Sequence, residues 1–496
     1  MDYKTDIENK IKHSSINSPD NSNIIEKFVQ KNQEKKIIAV QGLGFVGSVM
    51  SLVCANAING DYAIIGIDLP TKRGKSIINS LNNGIFPLVT DDPKIEEFFL
   101  NTIKKNNFIA TTETESYKFA DIIIVDINLD VEKNNDYSGE LIDYDVNLDS
   151  FKKAITTIGE NCKQDALILI ESTVPPGTCK NIVKPIINNC LKKRKLSSDK
   201  IKISHSYERV MPGPGYIDSI QNFFRVYSGV DEKSADAVES FLHTIIRTDE
   251  YPLTRLGNTN ATEIAKVLEN SYRAMNIAFA VEWSRFAEEA GVNLYEVVNA
   301  IRLRPTHANL MYPGIGVGGY CLTKDALLAS WAKQNLIGNS EPLLQSEKAI
   351  SINDQMPRFA FEFLENNYSK IRNKKVLLLG ISYRGDVGDT RSTPVEKLYD
   401  YLLESGAKIN CHDPYVNYWD EKSINVEQNI AKGLKDSLDI IIISTGHKIY
   451  KNSKTIDMIL SLKPIFIYDT VGLLSKGHIE KLSKKHRLKV LGRGDL

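Results

Sequence analysis

The chain has 496 residues, 42% hydrophobic and 25% charged: too long for one ordinary core, and composed like a globular protein of two or three domains. Lys+Arg and Asp+Glu both count 62, so no net field draws the chain to nucleic acid or to an anionic membrane. No run of eighteen apolar residues, no apolar signal core, six cysteines without CxxC pairs and eight histidines without HExxH spacing imply a cytoplasmic protein with no metal site and no disulfide scaffold.

Residues 1–34 are polar and rich in Asn, Ser and Lys, which predicts a flexible N-terminal extension. Order is expected from "KKIIAVQGLGFVGS", an apolar strand, a glycine turn and a helix start. "GLGFVG" fits GxGxxG. Gly42 allows the tight turn, Gly44 lets the backbone reach a pyrophosphate, and Gly47 lets helix and strand pack, with Phe45 and Val46 completing the turn. The next strand, "AIIGID", ends in Asp68, whose carboxylate suits a ribose 2′-OH and repels a 2′-phosphate. This favours NAD over NADP, although Lys72 and Arg73 follow closely.

Strand-like runs "DIIIVDI", "ALILIES" and "IKISHS" then alternate with helical stretches, the pattern of a doubly wound parallel sheet. From "GNTNATEIAKVLENS" the period changes to that of a helix. Ile264, Val267, Leu268, Met275, Phe279 and Phe286 recur at helical spacing over six turns, with Gly291 as a stop. A helix of that length connects domains or packs against a partner. Alternation resumes in "VLLLG", "AKINCHD", "DIIIIST" and "PIFIYD". The expected fold is α/β: two Rossmann-like doubly wound parallel-sheet domains joined by a central long helix.

Between these domains, "GIGVGGYCLTKD" puts Cys321 at the end of a glycine loop. If the following segment is helical, Cys321 and Asp325 share a face, as Lys266 and Asn270 do on the long helix. A thiol, a Lys–Asn pair and an acid suit the oxidation of an alcohol past the aldehyde: the thiolate adds as a thiohemiacetal, a second oxidation gives a thioester, and water releases the acid. Lys266 and Asn270 would stabilise the oxyanion. Two alternatives are a two-electron β-hydroxyacid-type NAD dehydrogenase and a catalytically silent NAD- and nucleotide-binding regulator. The first needs neither cysteine nor second α/β domain, and the second would be marked by loss of Cys321 or Lys266.

"GLGFVG", "ESTVPPGT", "SYERVMPG", "AKVLENSYRAMN", "GVGGYCLTKD" and "YRGDVGDTRSTP" occur in an order that resembles the nucleotide-sugar 6-dehydrogenases acting on UDP-glucose, GDP-mannose or UDP-N-acetylhexosamines. The resemblance implies an NAD-binding domain over 35–240, a central dimerisation and catalytic region over 241–355, and a nucleotide-sugar-binding domain over 356–496. It implies Cys321 as nucleophile, Lys266 and Asn270 as oxyanion stabilisers that also touch substrate, Asp325 as the acid ordering a water, and Glu208 in thioester hydrolysis and substrate contact. Thr173 in "ESTVPPGT" joins the cofactor site. Arg209, Val210, Tyr312 and Gly318 join the substrate site, as do Tyr383, Arg384 and Arg391 at the nucleotide. Arg304 matches an arginine reaching across a homodimer built on the central helix.

Two departures stand out. The Thr-Pro turn usual after "DIIIVD" is replaced by "INLDV", and Pro212 stands where UDP-glucose enzymes often carry a second glutamate. "ERVMPG" points to a UDP-N-acetylhexosamine, whereas the Lys-Asp of "GGYCLTKD" points to UDP-glucose, so the residues alone leave the sugar open.

Overall fold

The computed structural model describes residues 21–87, 92–210, 213, 215–368, 370–435 and 437–496. They form two compact units. One holds the chain up to Asn128, Leu148–Ser172 and Thr178–Thr262; the other holds Leu129–Asn147, Thr173–Gly177 and Glu263–Leu496.

In the first unit, Asn21–Lys31 is a helix with Ile25 only 3% exposed. This part of the polar N-terminal stretch is therefore not the flexible extension that composition suggests, because the spacing within "IIEKFV" is enough to anchor one turn. Residues 1–20 lie outside the described residues.

The strands follow in chain order: β1 (Lys36–Gln41), β2 (Tyr62–Ile67), β3 (Phe108–Thr111), β4 (Ile122–Val125), β5 (Val131–Asn135), β6 (Leu141–Val146), β7 (Leu167–Ile170), β8 (Lys202–Tyr207), β9 (Val226–Gly229) and β10 (Thr254–Arg255). Eight of them make one sheet, ordered β10-β9-β8-β7-β4-β1-β2-β3 and parallel except between β8 and β9. Strands "IIIV" and "LILI" are buried on both faces, as a parallel sheet between helices requires. The strand order reverses between β1 and β4, where such folds take their ligands.

The second unit contains β11 (Lys375–Leu379), β12 (Lys408–His412), a small hairpin of β13 (Tyr418–Trp419) and β14 (Ile424–Asn425), β15 (Ile440–Ile443), β16 (Phe466–Asp469) and β17 (Arg487–Val490). Its main sheet is fully parallel, ordered β12-β11-β15-β16-β17. Period-two alternation builds a core on each face: Val376, Leu378, Ile440 and Ile442 on one, Leu377, Leu379, Ile441 and Ile443 on the other. The chain thus has the two Rossmann-like sheets read from the sequence.

The central helix runs Thr259–Glu289. Asn258 caps its start through a bond from the Ala261 amide, and Gly291 at φ +69° ends it. Two apolar faces emerge. Val267, Ala274, Ala278 and Val281 are buried, whereas Ile264, Leu268, Tyr272, Met275, Phe279, Trp283 and Phe286 form an exposed stripe. No described helix is long and apolar enough to cross a membrane.

Strands β5 and β6 form an antiparallel hairpin in the second unit, which starts at the last residue of the "INLDV" segment that replaces the Thr-Pro turn. Lys133 pairs with Asp354 at 2.5 Å, and the Trp331 indole donates to Asp145 at 2.8 Å. Val131, Leu141 and Tyr144 pack against Ala274, Leu327 and Ile350.

Candidate active site

In the first unit the glycine turn has the geometry of a dinucleotide cradle. Gly42 sits at φ +92°, and a Cβ there would lie 2.2 Å from the Asp126 carbonyl oxygen at the end of β4. A Cβ on Gly47 would lie 1.8 Å from the Gly42 oxygen. Gly44, in contrast, has nothing within 4 Å, which leaves its face open to a phosphate at the N-terminus of helix Phe45–Ala55. Phe45 and Val46 form the first turn of that helix.

Asp68 follows β2. One carboxylate oxygen accepts from the Leu43 amide at 3.0 Å and the other from Leu69 at 2.7 Å, so the acid is fixed against the glycine turn. Arg73 is exposed on helix Lys72–Asn82. The open glycine, the helix terminus and the placed acid fit NAD.

Glu208, Arg209 and Val210 follow β8 in this unit. The Glu208 carboxylate accepts from the Val210 amide. The Arg209 guanidinium lies 5.7 Å from the Tyr207 ring centroid and 5.5 Å from that of Phe223. Pro212 lies outside the described residues.

The second unit gathers the thiol and its companions. Asp325 has 0% exposure. Asn270 Nδ2 donates to one carboxylate oxygen at 2.7 Å, and Lys324 Nζ to the other at 2.9 Å. Lys266, also buried, stands one helical turn before Asn270. Cys321 is exposed.

Cys321 and Asp325 do not share a helix face as expected. The helix begins at Asp325, because Lys324 takes a non-helical φ of −145° and ends a turn rather than continuing one. The two segments are joined by the backbone instead: the Cys321 carbonyl accepts from the Asp325 amide at 3.0 Å. That places Asp325 at a helix N-terminus, where the dipole favours a carboxylate.

The glycine loop packs on the C-terminal sheet's loop. A Cβ on Gly318 would lie 2.5 Å from Tyr383 Cβ, and the Gly319 amide donates to the Arg391 carbonyl at 3.1 Å. Burial raises the Tyr383 hydroxyl, and Asp389 and then a thiolate at Cys321 add to that rise. Arg391 does not present an empty fork: its Nε and Nη2 are held by Asp389 at 2.9 and 2.6 Å. Arg384 is exposed.

The remaining expected residues stand on other segments. Thr173 belongs to the second unit rather than to the one carrying the glycine turn, on a loop whose Gly177 amide donates to the buried Glu263 at 2.6 Å. Arg304 is exposed at the head of the short turn Pro305–His307, and the Tyr312 hydroxyl is bonded to Asn299 at 2.5 Å.

Two members of the cluster escape a reading by motif. Lys324 pairs with Asp325, and its Nζ lies 4.3 Å from the Tyr320 ring centroid. Burial, and then the Asp130 carboxylate at the foot of the β5–β6 hairpin, push the Tyr320 hydroxyl far upward.

Comparison with known proteins agrees with this geometry. Three models of the UDP-glucose/GDP-mannose dehydrogenase family match: its NAD binding domain over residues 36–246, its central domain over 260–355, and its UDP binding domain over 377–476. A UDP-N-acetyl-D-mannosamine dehydrogenase of Methanocaldococcus jannaschii is 32% identical over 476 residues, covering 94% of this chain and 98% of that protein. A solved structure titled as the UDP-D-ManNAc dehydrogenase of Pyrococcus horikoshii superposes with a TM-score of 0.76 at 27% identity, covering 93% of this chain and all of that one. The NDP-N-acetyl-D-galactosaminuronic acid dehydrogenase structure from Methanosarcina mazei Go1 gives 0.75 at 25% identity, covering 95% and 98%. With a cradle for NAD in one unit and an exposed cysteine beside the UDP binding domain in the other, the chain belongs to the UDP-glucose/GDP-mannose dehydrogenase family and is an NAD-dependent nucleotide-sugar dehydrogenase.

Proposed function

We propose that the enzyme oxidises the C6 hydroxymethyl of a UDP-N-acetylhexosamine to the uronic acid through two covalent intermediates on Cys321. The observation that carries this reading is the buried Asn270–Asp325–Lys324 cluster bonded to the backbone of an exposed cysteine. Relatives named for UDP-N-acetyl-D-mannosamine support an acetamido sugar over glucose.

NAD held by the glycine turn and Asp68 would supply the hydride acceptor for each of two rounds. The residues of the chain handle the rest. In the first round Lys266 and Asn270 hold the substrate hydroxyl as its proton passes to solvent. The Cys321 thiolate then bonds to the aldehyde carbon, and the same pair stabilises the oxyanion of the thiohemiacetal. Loss of the second hydride from that carbon leaves a thioester. Water ordered by Asp325 attacks it, the C–S bond breaks, and the thiolate is regenerated. The balance is one alcohol, one water and two NAD giving one carboxylate, two NADH and three protons. The match of Glu208 to the family's glutamate assigns it to this hydrolysis, and that role rests on the motif alone. The exposed stripe of the central helix supports a homodimer built on it.

The test is NADH formed per UDP-sugar consumed, across UDP-glucose, UDP-GlcNAc, UDP-GalNAc and UDP-ManNAc. Two per sugar, with an acetamido substrate preferred, is the expected outcome. One per sugar would remove the thioester, and preference for UDP-glucose would remove the acetamido assignment.

A further inference from the structure

In the C-terminal sheet the strand order reverses between β11 and β15, and open α/β sheets bind ligands at the carboxyl ends of strands flanking such a reversal. The loop leaving β11 carries Tyr383, Arg384 and Arg391, while the chain leaving β15 leads to His447. Two side chains without exposed surface, Asp413 and His447, join these loops. Asp413 Oδ2 accepts from the amides of Ile381 and Ser382 at 3.0 and 3.2 Å, from the Ser382 hydroxyl at 2.7 Å, and from His447 Nε2 at 3.1 Å. Burial pushes the Asp413 carboxyl up, but the bonds from His447, Ile381 and Tyr415 outweigh it and hold it below the usual range.

The other face of the imidazole fixes its proton. His447 Nδ1 lies 2.9 Å from the Asp386 amide nitrogen. A backbone N–H only donates, so Nδ1 presents its lone pair and the ring proton sits on Nε2, facing Asp413. Asp386 itself is at φ +60°, a left-handed conformation that a non-glycine residue keeps only when its surroundings hold it there. Its carboxylate is pinned by the Lys448 amide at 3.0 Å and the Lys448 ammonium at 3.1 Å.

This kink decides where the next residues lie. Three residues on, the Asp389 carbonyl accepts from the Tyr383 amide at 3.0 Å, and its carboxylate holds Arg391.

We propose that His447 is a positioning residue for nucleotide recognition: as the Nε2–H tautomer it ties the Asp386 amide to Asp413 and so sets the loop that presents Tyr383, Arg384 and Arg391 to the uridine diphosphate. The inference rests on the reading of those three residues as nucleotide contacts, and the experiment separates the two.

UDP binding is measured by calorimetry on the intact enzyme, alongside KM for NAD, for His447→Leu, His447→Asn, His447→Gln and Arg391→Ala. Asparagine places an acceptor near the Nδ1 position and so keeps the bond from Asp386. Glutamine reaches toward Asp413 and keeps only the donor. Leucine should weaken UDP about tenfold, the effect of one lost hydrogen bond in a built site. Asparagine should recover most of that loss and glutamine should not, while KM for NAD stays at its wild-type value in all three. A leucine variant that binds UDP as the wild type does, or that loses NAD in step with UDP, overturns the inference. Should the leucine variant fail to fold, equal UDP affinity in the asparagine and glutamine variants overturns it instead. Normal UDP binding by Arg391→Ala overturns the underlying reading of the loop.

Discussion

Asp325 is a carboxylate with no exposed surface, and such a group is tolerated only when its charge is met. Each oxygen is met here by a donor, Asn270 on one side and Lys324 on the other. Motif spacing makes Asn270 legible but not Lys324. Neighbouring residues on a helix point about 100° apart and cannot pair. The pair forms because Lys324 lies in the turn before the helix, which the sequence pattern did not separate from it. Asp325→Asn keeps the volume and the bond to Asn270 while removing the charge. If Asp325 orders the hydrolytic water, kcat should fall roughly 10²–10³-fold, the scale of a lost general acid–base group. The thioester should then accumulate as a covalent adduct on Cys321, visible in the intact mass. Wild-type turnover, or slow turnover with no adduct, would remove Asp325 from hydrolysis.

At the scale of elements, the central strands of both sheets were legible because β4, β7 and β15 are short apolar runs buried on both faces, whereas β3, β9, β10 and β17, shorter or partly exposed, went unread. The β5–β6 hairpin was not legible either. "VEKNN" is mostly polar and "LIDYDV" carries two aspartates, and what holds them is a set of contacts distant in sequence, such as Lys133 to Asp354. The end of the central helix carries a similar long-range tie: Glu288 accepts from the Gly492 amide at 2.6 Å. Burial pushes the Glu288 carboxyl up to about 7, against the opposing pull of that bond and of Arg285. An acid whose folded pKa lies above its unfolded value binds more protons when folded, so its contribution to stability falls as pH rises from about 4.5 to about 7. Above that window the folded state carries a buried charge costing on the order of 2 kcal/mol after allowance for partial exposure. Glu288→Gln keeps an acceptor for Gly492 and removes the charge. It should raise Tm at pH 8 and leave it nearly unchanged at pH 5; an equal shift at both pH values would mean that the carboxyl is ionised throughout.

For the whole molecule, the central helix presents more apolar surface than one chain covers. Leu268 is 61% exposed, and the rings of Phe279, Trp283 and Phe286 meet along the same stripe in tilted and edge-on contacts at 5.9 Å spacings. The sequence showed the helical period but not its division into two faces, because both faces are apolar and only packing tells Val267 from Leu268. A self-complementary stripe suits a two-fold interface, in which each copy meets the same surface of the other. Leu268→Asp should therefore reduce the mass in solution from two copies to one, and an unchanged dimer would place the interface elsewhere. Arg304 extends the argument to activity. It stands at the head of an exposed turn, and the motif resemblance implies an arginine that reaches the substrate across a homodimer. If Arg304 acts in trans, Cys321→Ser and Arg304→Ala are each inactive alone, yet a mixed dimer keeps one site with both groups intact. After equal mixing and exchange, half of the dimers are mixed and one of their two sites is whole, so about a quarter of wild-type activity should return. If Arg304 acts in cis, every site carries a defect and nothing returns. Recovery followed over time, with the Leu268→Asp background as the control that cannot pair, distinguishes the two.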